Sequence, residues 1–256
     1  MFDLSFFLRT FLALWKAVPT TLLITAVSLA VGVVLGFLIA LARIHKIKVL
    51  SQICSVYVSL IRGTPVVLQI LVMYSLVPSA LNAFFKKTGS NIDIFALNPI
   101  FYAFGVFSLS MAALLSEVFR SALLTISKGQ LEAGYTCGLT YAQTFRRIII
   151  PQALVAALPN LCNATVNLIK NTSLAFMMTV KDVTAVAKIE ASFGYNYIEA
   201  YLDIFIIYRV ICSVVQQLFK RWEKRASVFK TGAHSAASET RRLSLRRTSL
   251  AASAKQ

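Results

Sequence analysis

The sequence predicts an all-α integral membrane protein with about five transmembrane helices, and three observations carry that expectation. Hydrophobic residues make up 57% of the 256 residues and charged residues 14%, with a mean hydropathy of +0.71. A soluble domain of this length carries far more charge. The apolar residues are gathered into runs such as 19–42, and a helix of that length crosses a hydrocarbon core of about 30 Å. Lys and Arg sit in clusters where apolar runs end (Arg43, Lys46, Lys48; Arg120, Lys128; Arg146, Arg147), which marks those ends as cytoplasmic. Of the net charge of +16, residues 220–256 hold +8, from ten Lys or Arg against Glu223 and Glu239. Membrane orientation accounts for this placement better than nucleic-acid binding does. Four scattered cysteines and two histidines offer no metal-ligand spacing and no catalytic triad.

Taken in order, residues 4–17 place Leu4, Phe7, Leu8, Phe11 and Trp15 on one helical face, with Ser5, Arg9 and Lys16 on another. That pattern suits a helix lying in the membrane surface. A removed signal peptide is disfavoured by Asp3 and by the lack of a small-residue cleavage site, so this start is expected to be retained. The first span, 18–42, ends in Arg43, His45, Lys46 and Lys48 and puts the N-terminus outside. Residues 49–81 form a discontinuous second span, broken at Arg62-Gly63-Thr64-Pro65, where proline removes a backbone donor and biases Thr64 away from helix. An outer loop at 82–98 leads to a third span at about 99–124 and a fourth at about 148–170. A short polar stretch, 171–196, precedes a fifth span at 198–219, whose end in Lys220 and Arg221 leaves the C-terminus inside. The chain thus divides into a transmembrane domain, 1–225, and a basic tail, 226–256. Rich in Ser, Ala, Thr, Arg and Lys, the tail is expected to be disordered and to meet anionic lipid headgroups.

Between the third and fourth spans, residues 127–151 show two capping-box patterns, Ser127 with Gln130 and Thr140 with Gln143. Gly138 falls where the first helix needs a left-handed terminator, so a helix, a glycine turn and a second helix are expected outside the membrane. Ala133, Gly134 and Gly138 keep that surface low enough for close backbone contact with a partner.

Glu132-Ala133-Gly134, then Gly138, Ile148 and Ile150-Pro151, resembles the cytoplasmic EAA loop of ATP-binding-cassette importer permeases in residues and spacing, with Gly134 for the usual second Ala and Ile150 for Leu. The resemblance implies the type I importer permease fold. It also implies that Gly129, Gln130, Glu132, Ala133, Gly134, Gly138 and Pro151 belong to a coupling helix that docks on a separate ATPase. Segments 59–65, 117–120, 128–130, 151–153 and 168–174 resemble the polar amino acid branch, which includes histidine, arginine, glutamine and cystine permeases; Lys170-Asn171-Thr172 stands where that branch usually has Lys-Asp-Thr. Together these cover about residues 20–220. They imply a permease subunit of a binding-protein-dependent, ATP-driven amino acid importer in the bacterial cytoplasmic membrane. Implied partners are a second permease subunit, the same or a sister chain, cytoplasmic ATPases and an extracytoplasmic solute-binding protein. No Gly-x-x-x-x-Gly-Lys-Ser/Thr occurs, so ATP and Mg belong to the partner ATPase and this chain is expected to bind no cofactor.

Candidates for the solute pathway begin on the fourth span, where Gln152, Asn160, Asn163, Asn167 and Asn171 recur on one face beside Lys170. Amides do not face lipid without cost. They are either hydrogen-bond glue between helices or the lining of an aqueous route, and five exceed what packing one helix requires. Thr172 and Ser173 follow them. Arg62, Gly63, Thr64, Pro65 and Gln69 either shape a bend or touch substrate. Glu117 and Arg120, at i and i+3, are expected to neutralise one another. Asp203 and Arg209, six residues apart, point to different sides of the fifth span and each needs a partner; Arg209 would meet a substrate carboxylate or Glu117. A rival reading is a secondary transporter or channel using Asp203, Arg209 and Glu117 as an ion relay, but no repeated halves with matched broken helices are visible. A membrane enzyme lacks any catalytic constellation.

Overall fold

The computed structural model describes residues 2–88 and 96–253, with side chains described as far as residue 226. The elements are α1 (Leu4–Trp15), α2 (Val18–Ile44), α3 (Lys48–Arg62), α4 (Val66–Lys87), α5 (Ile100–Leu124), α6 (Lys128–Thr136) and α7 (Tyr141–Thr144). A π-helical turn (Phe145–Ile149), α8 (Ile150–Asn171), a 3-10 segment (Thr172–Met178), α9 (Val183–Gly194) and α10 (Tyr197–Ser253) complete the chain. Among the described residues no strand occurs. Four helical stretches there are long and apolar enough to cross a membrane: Leu4–Ile44, Val66–Lys87, Ile100–Leu124 and Tyr141–Met178. The apolar run expected as a fifth span, 198–219, is helical within α10.

The core is built on the pairing of α2 with α5. On α2, Thr21, Thr25, Ser28, Gly32, Gly36 and Ala40 form a buried stripe of small residues, which lets backbones approach where larger side chains would hold them apart. The approach is close enough that a Cβ on Gly32 would lie 2.6 Å from Met111 Cβ. Phe107, Met111 and Leu115 of α5 pack between α2 and α8. A second apolar cluster joins α1, α9 and α10 to the far face of α8 through Phe6, Leu14, Val166, Val183, Ala187 and Ile207.

The face of α1 that packs on the bundle is Phe6, Thr10 and Leu14, while Leu4, Leu8 and Trp15 stay exposed and are left for lipid. Asp3 caps this helix, its carboxylate accepting from Ser5 N and Phe6 N, and its own N–H donates to Glu199 Oε1 at 2.9 Å, tying α1 to the start of α10. The polar stretch 171–196 holds the 3-10 segment and α9. Asp182 caps α9, whose Val183, Ala187 and Ala191 recur every fourth residue and are buried against the bundle. Burial pushes the Asp182 carboxyl above its ordinary value, opposed by hydrogen bonds from Ala185 N and Thr184 N. The backbone of 226–253, expected to be disordered, continues α10 as helix; propagation adds one hydrogen bond per residue, and Ala, Arg, Lys, Leu and Glu carry little helix penalty. Side chains beyond residue 226, and residues 254–256, lie outside the described residues, as does the loop segment 89–95.

Candidate functional site

At one end of the bundle, α6, α7 and the π-helical turn make an elbow between α5 and α8. Gly138 takes φ +76°, the left-handed conformation that ends α6. The second capping box is formed in full: Thr140 N donates to Gln143 Oε1 at 2.9 Å and Gln143 N to Thr140 Oγ1 at 3.4 Å. The first is not. Ser127 occupies the N-cap position without a side-chain bond, and the Gln130 side chain instead accepts from Gln152 Nε2 at 3.3 Å. Gln152 also donates to Ile148 O at 3.0 Å, so this amide braces α8 against α6 and leaves the expected pathway stripe.

Gly134 is the buried residue of α6, and its role differs from the one expected. A Cβ there would lie 2.3 Å from Thr144 Cγ2 and 2.5 Å from Thr144 Oγ1, so the missing side chain closes α6 onto α7 instead of lowering an outer surface. The outward surface is Glu132 and Ala133, with Tyr135 and Tyr141 48% and 44% exposed. Gly129 and Pro151 are also exposed. His45, just past α2, meets Tyr141 edge to face and packs on Phe145, joining the elbow to the C-terminal end of α2. A π-turn inside a helix is a common mark of a functional site, and here it places the elbow at the foot of α8.

Above the elbow, Glu117 accepts from Arg43 Nη1 at 2.5 Å and from Arg120 Nε and Nη2 at 3.0 and 2.8 Å. The expected pairing with Arg120 holds, with Arg43 as a third member. Glu117 is thereby taken by Arg43 and Arg120, and among the described residues no hydrogen bond or ion pair links it to Asp203 or Arg209.

The break after α3 falls at mid-depth: Tyr57 OH donates to Leu109 O at 2.6 Å, and Ser110 Oγ donates to Gln69 Oε1. Gln69 Nε2 in turn bonds Ile61 O at 2.7 Å and Thr64 O and Oγ1 at 3.1 Å, supplying the donors that Pro65 withholds. A Cβ on Gly63 would lie 2.8 Å from Ser59 O. These contacts support the bend reading of Arg62, Gly63, Thr64 and Pro65, which remain exposed. At about 22 Å, α3 alone is too short to span; the membrane-length member of this pair is α4.

On α8, Asn160, Asn163, Asn167 and Lys170 are exposed along one face, and Asn171 is partly buried behind them. None of these five side chains bonds to another described residue of this chain. Thr172 is buried, its hydroxyl donating to Ile169 O at 2.6 Å, and Ser173 is half-buried. Asp203 is fully buried with neither carboxylate oxygen paired among the described residues, so the partner expected for it is missing. Arg209 donates to Ser213 Oγ and joins Lys170 in lining a cavity of about 460 Å³ between α8 and α10. A larger cavity of about 830 Å³ opens at the end of the bundle away from the elbow, lined by Tyr74, Tyr102, Asn98, Thr179 and Lys181. This cavity and the roles of Gln152 and Gln69 were not read from sequence; the Thr179 backbone at φ +60° is a signal visible only in three dimensions.

Residues 32–228 match the family described as the binding-protein-dependent transport system inner membrane component. The chain is 35% identical over 207 residues to the L-cystine transport system permease protein of Bacillus subtilis (strain 168), covering 81% of this chain and 84% of that one. It is 34% identical over 218 residues to the octopine transport system permease protein of Rhizobium radiobacter, covering 85% and 87%. A crystal structure of an amino acid ABC transporter with histidines matches with a TM-score of 0.67 and 29% identity, over 84% of this chain and 98% of that one.

Proposed function

The chain belongs to the family of binding-protein-dependent transport system inner membrane components, and from that premise we propose that it is the permease subunit of an ATP-driven importer of polar amino acids. The observation that carries this reading is the elbow at residues 128–149. It presents Glu132 and Ala133 outward while Gln130, Gly134 and His45 fasten it to α8, α7 and α2. A motor that pushes this elbow moves the foot of α8 directly, and α8 carries the exposed amides.

In this reading a cytoplasmic ATPase holds ATP and Mg and seats Glu132, Ala133 and the neighbouring tyrosines in a groove. An extracytoplasmic binding protein delivers the amino acid at the outer cavity. The face of Asn160, Asn163, Asn167 and Lys170 cannot face hydrocarbon cheaply, so a second permease subunit and the aqueous route between the two cover it. The chain is a transport subunit and not itself an enzyme. Its place is the bacterial cytoplasmic membrane, N-terminus outside and C-terminus inside.

The test is co-purification of the ATPase with wild-type and Glu132→Lys permease, with ATP hydrolysis stimulated by loaded binding protein measured alongside. Reversing a charge that meets a partner leaves that partner's group unpaired, and association is expected to weaken by about tenfold or more. Full association and full stimulation in Glu132→Lys and in Ala133→Trp would remove the docking role of this surface.

A further inference from the structure

The cavity between α8 and α10 joins two cations from different helices. Lys170 approaches from the end of α8 and Arg209 from α10, and the buried Cys212 lines the same cavity. No carboxylate lines the cavity. The hydroxyl of Tyr208, at its wall, donates to Asp182 Oδ2 at 3.4 Å, and Asp182 is itself held by the N-terminus of α9. Asp203 lies buried on the other side of α10, and Glu117 is taken by Arg43 and Arg120. Lys170 has no hydrogen bond or ion pair among the described residues, and Arg209 uses one N–H on Ser213, leaving most of its fork unused.

Two uncompensated cations, one on α8 and one on the stretch of α10 expected as a fifth span, are costly in a membrane unless an anion meets them. The cavity, about 460 Å³, has the size of a small-ligand site. The exposed amides of Asn163 and Asn167 lie along α8, about two turns and one turn before Lys170. We propose that this cavity is a solute subsite selective for amino acids bearing two carboxylates, one held by the Arg209 fork and the other by Lys170. The carbonyl oxygens of Asn163 and Asn167 receive the ammonium groups. Arg matches a carboxylate with two parallel N–H bonds, whereas Lys supplies a point charge, so the two ends of the solute are held unequally.

This rests on the importer reading above. The test is uptake by the full transporter, with ATPase and binding protein, in phosphatidylcholine vesicles with and without phosphatidylglycerol. The probes are L-cystine and L-glutamate, with two carboxylates, and L-glutamine and L-arginine, with one. Two-carboxylate probes are expected to be taken up in preference, and Lys170→Met and Arg209→Met each to lower that uptake by about tenfold or more. Lys170→Arg, which keeps a point charge, should stay within about threefold of wild type, whereas Arg209→Lys, which keeps the charge but loses the paired N–H bonds, should fall between wild type and Arg209→Met. Preference for one-carboxylate probes, or wild-type uptake in both Met variants, overturns the proposal. So does an equal loss in the charge-keeping variants, which would make the two side chains packing elements. Losses that appear only when phosphatidylglycerol is present would assign the cations to a lipid phosphate and also overturn it. Absence of uptake of every amino acid by the wild type sinks the importer reading instead.

Discussion

Amide side chains in this protein have opposite fates according to what stands within reach. Gln69 fills the gap left by Pro65 and accepts from Ser110, and Gln152 bridges to Gln130; both are spent inside the chain. Asn163 and Asn167 find nothing among the described residues and point outward from a membrane helix. A buried amide without a partner is expensive, so these two require water, solute or a second subunit. Replacement by leucine removes the polar lining without opening a cavity in this chain. Asn163→Leu and Asn167→Leu are therefore expected to lower uptake by about tenfold while the protein accumulates to within about twofold of wild type. Uptake at the wild-type level would mean that the stripe is not the route. Failure of the protein to accumulate would make the amides glue between subunits.

Among the elements, the elbow depends on one missing side chain. Thr144 is fully buried, and both its γ atoms and its Cβ crowd the space where a Cβ on Gly134 would stand, so no rotation of Thr144 clears it. Gly134→Ala should pry α7 from α6 and lower stimulated ATP hydrolysis, and Thr144→Gly in the same chain should restore part of it. A double variant no better than Gly134→Ala would place the damage at the partner surface instead, because only residues in direct contact couple in this way. The helix, glycine turn and second helix were legible from Gly138 and Thr140-x-x-Gln143, since capping chemistry is local. The role of Gly134 was not, because a bare α-carbon reads the same whether it faces a partner or a neighbouring helix. The same limit applies to Gln130 and Gln152, 22 residues apart, whose bond arises from the packing of two helices. In α9, the stripe of Val183, Ala187 and Ala191 was present in the sequence but hidden by the polar residues around it. The pathway candidates were legible as polar residues in apolar runs; that two of them, Lys170 and Arg209, share one cavity depended on how α8 meets α10.

At the scale of the whole molecule, the bundle has two chemically distinct ends. At one, Arg43, Glu117 and Arg120 form a charged cluster on α2 and α5, and His45 meets the elbow. At the other, Tyr74 meets Tyr102 edge to face and reaches Thr179, beside the cavity that Asn98 and Lys181 help to line. Lys and Arg are in excess near the first end, and that bias predicts a cytoplasmic placement for it. The lysines Lys86 and Lys87 at the end of α4 run against the bias, so orientation is decided by the larger clusters and is open to direct measurement. Cys137 is exposed on the elbow and must first be replaced by serine, or it would itself be labelled. In that background a cysteine at Lys128 should react with an impermeant thiol reagent only from the cytoplasmic side. One at Thr88 should react only from outside, because α4 rises away from the elbow, from the level of Ser110 at Gln69 to the outer cavity at Tyr74 and Pro78. Labelling of both positions from one face would put the elbow and the end of α4 on the same side, and an ATPase could then no longer act through α6 on the foot of α8.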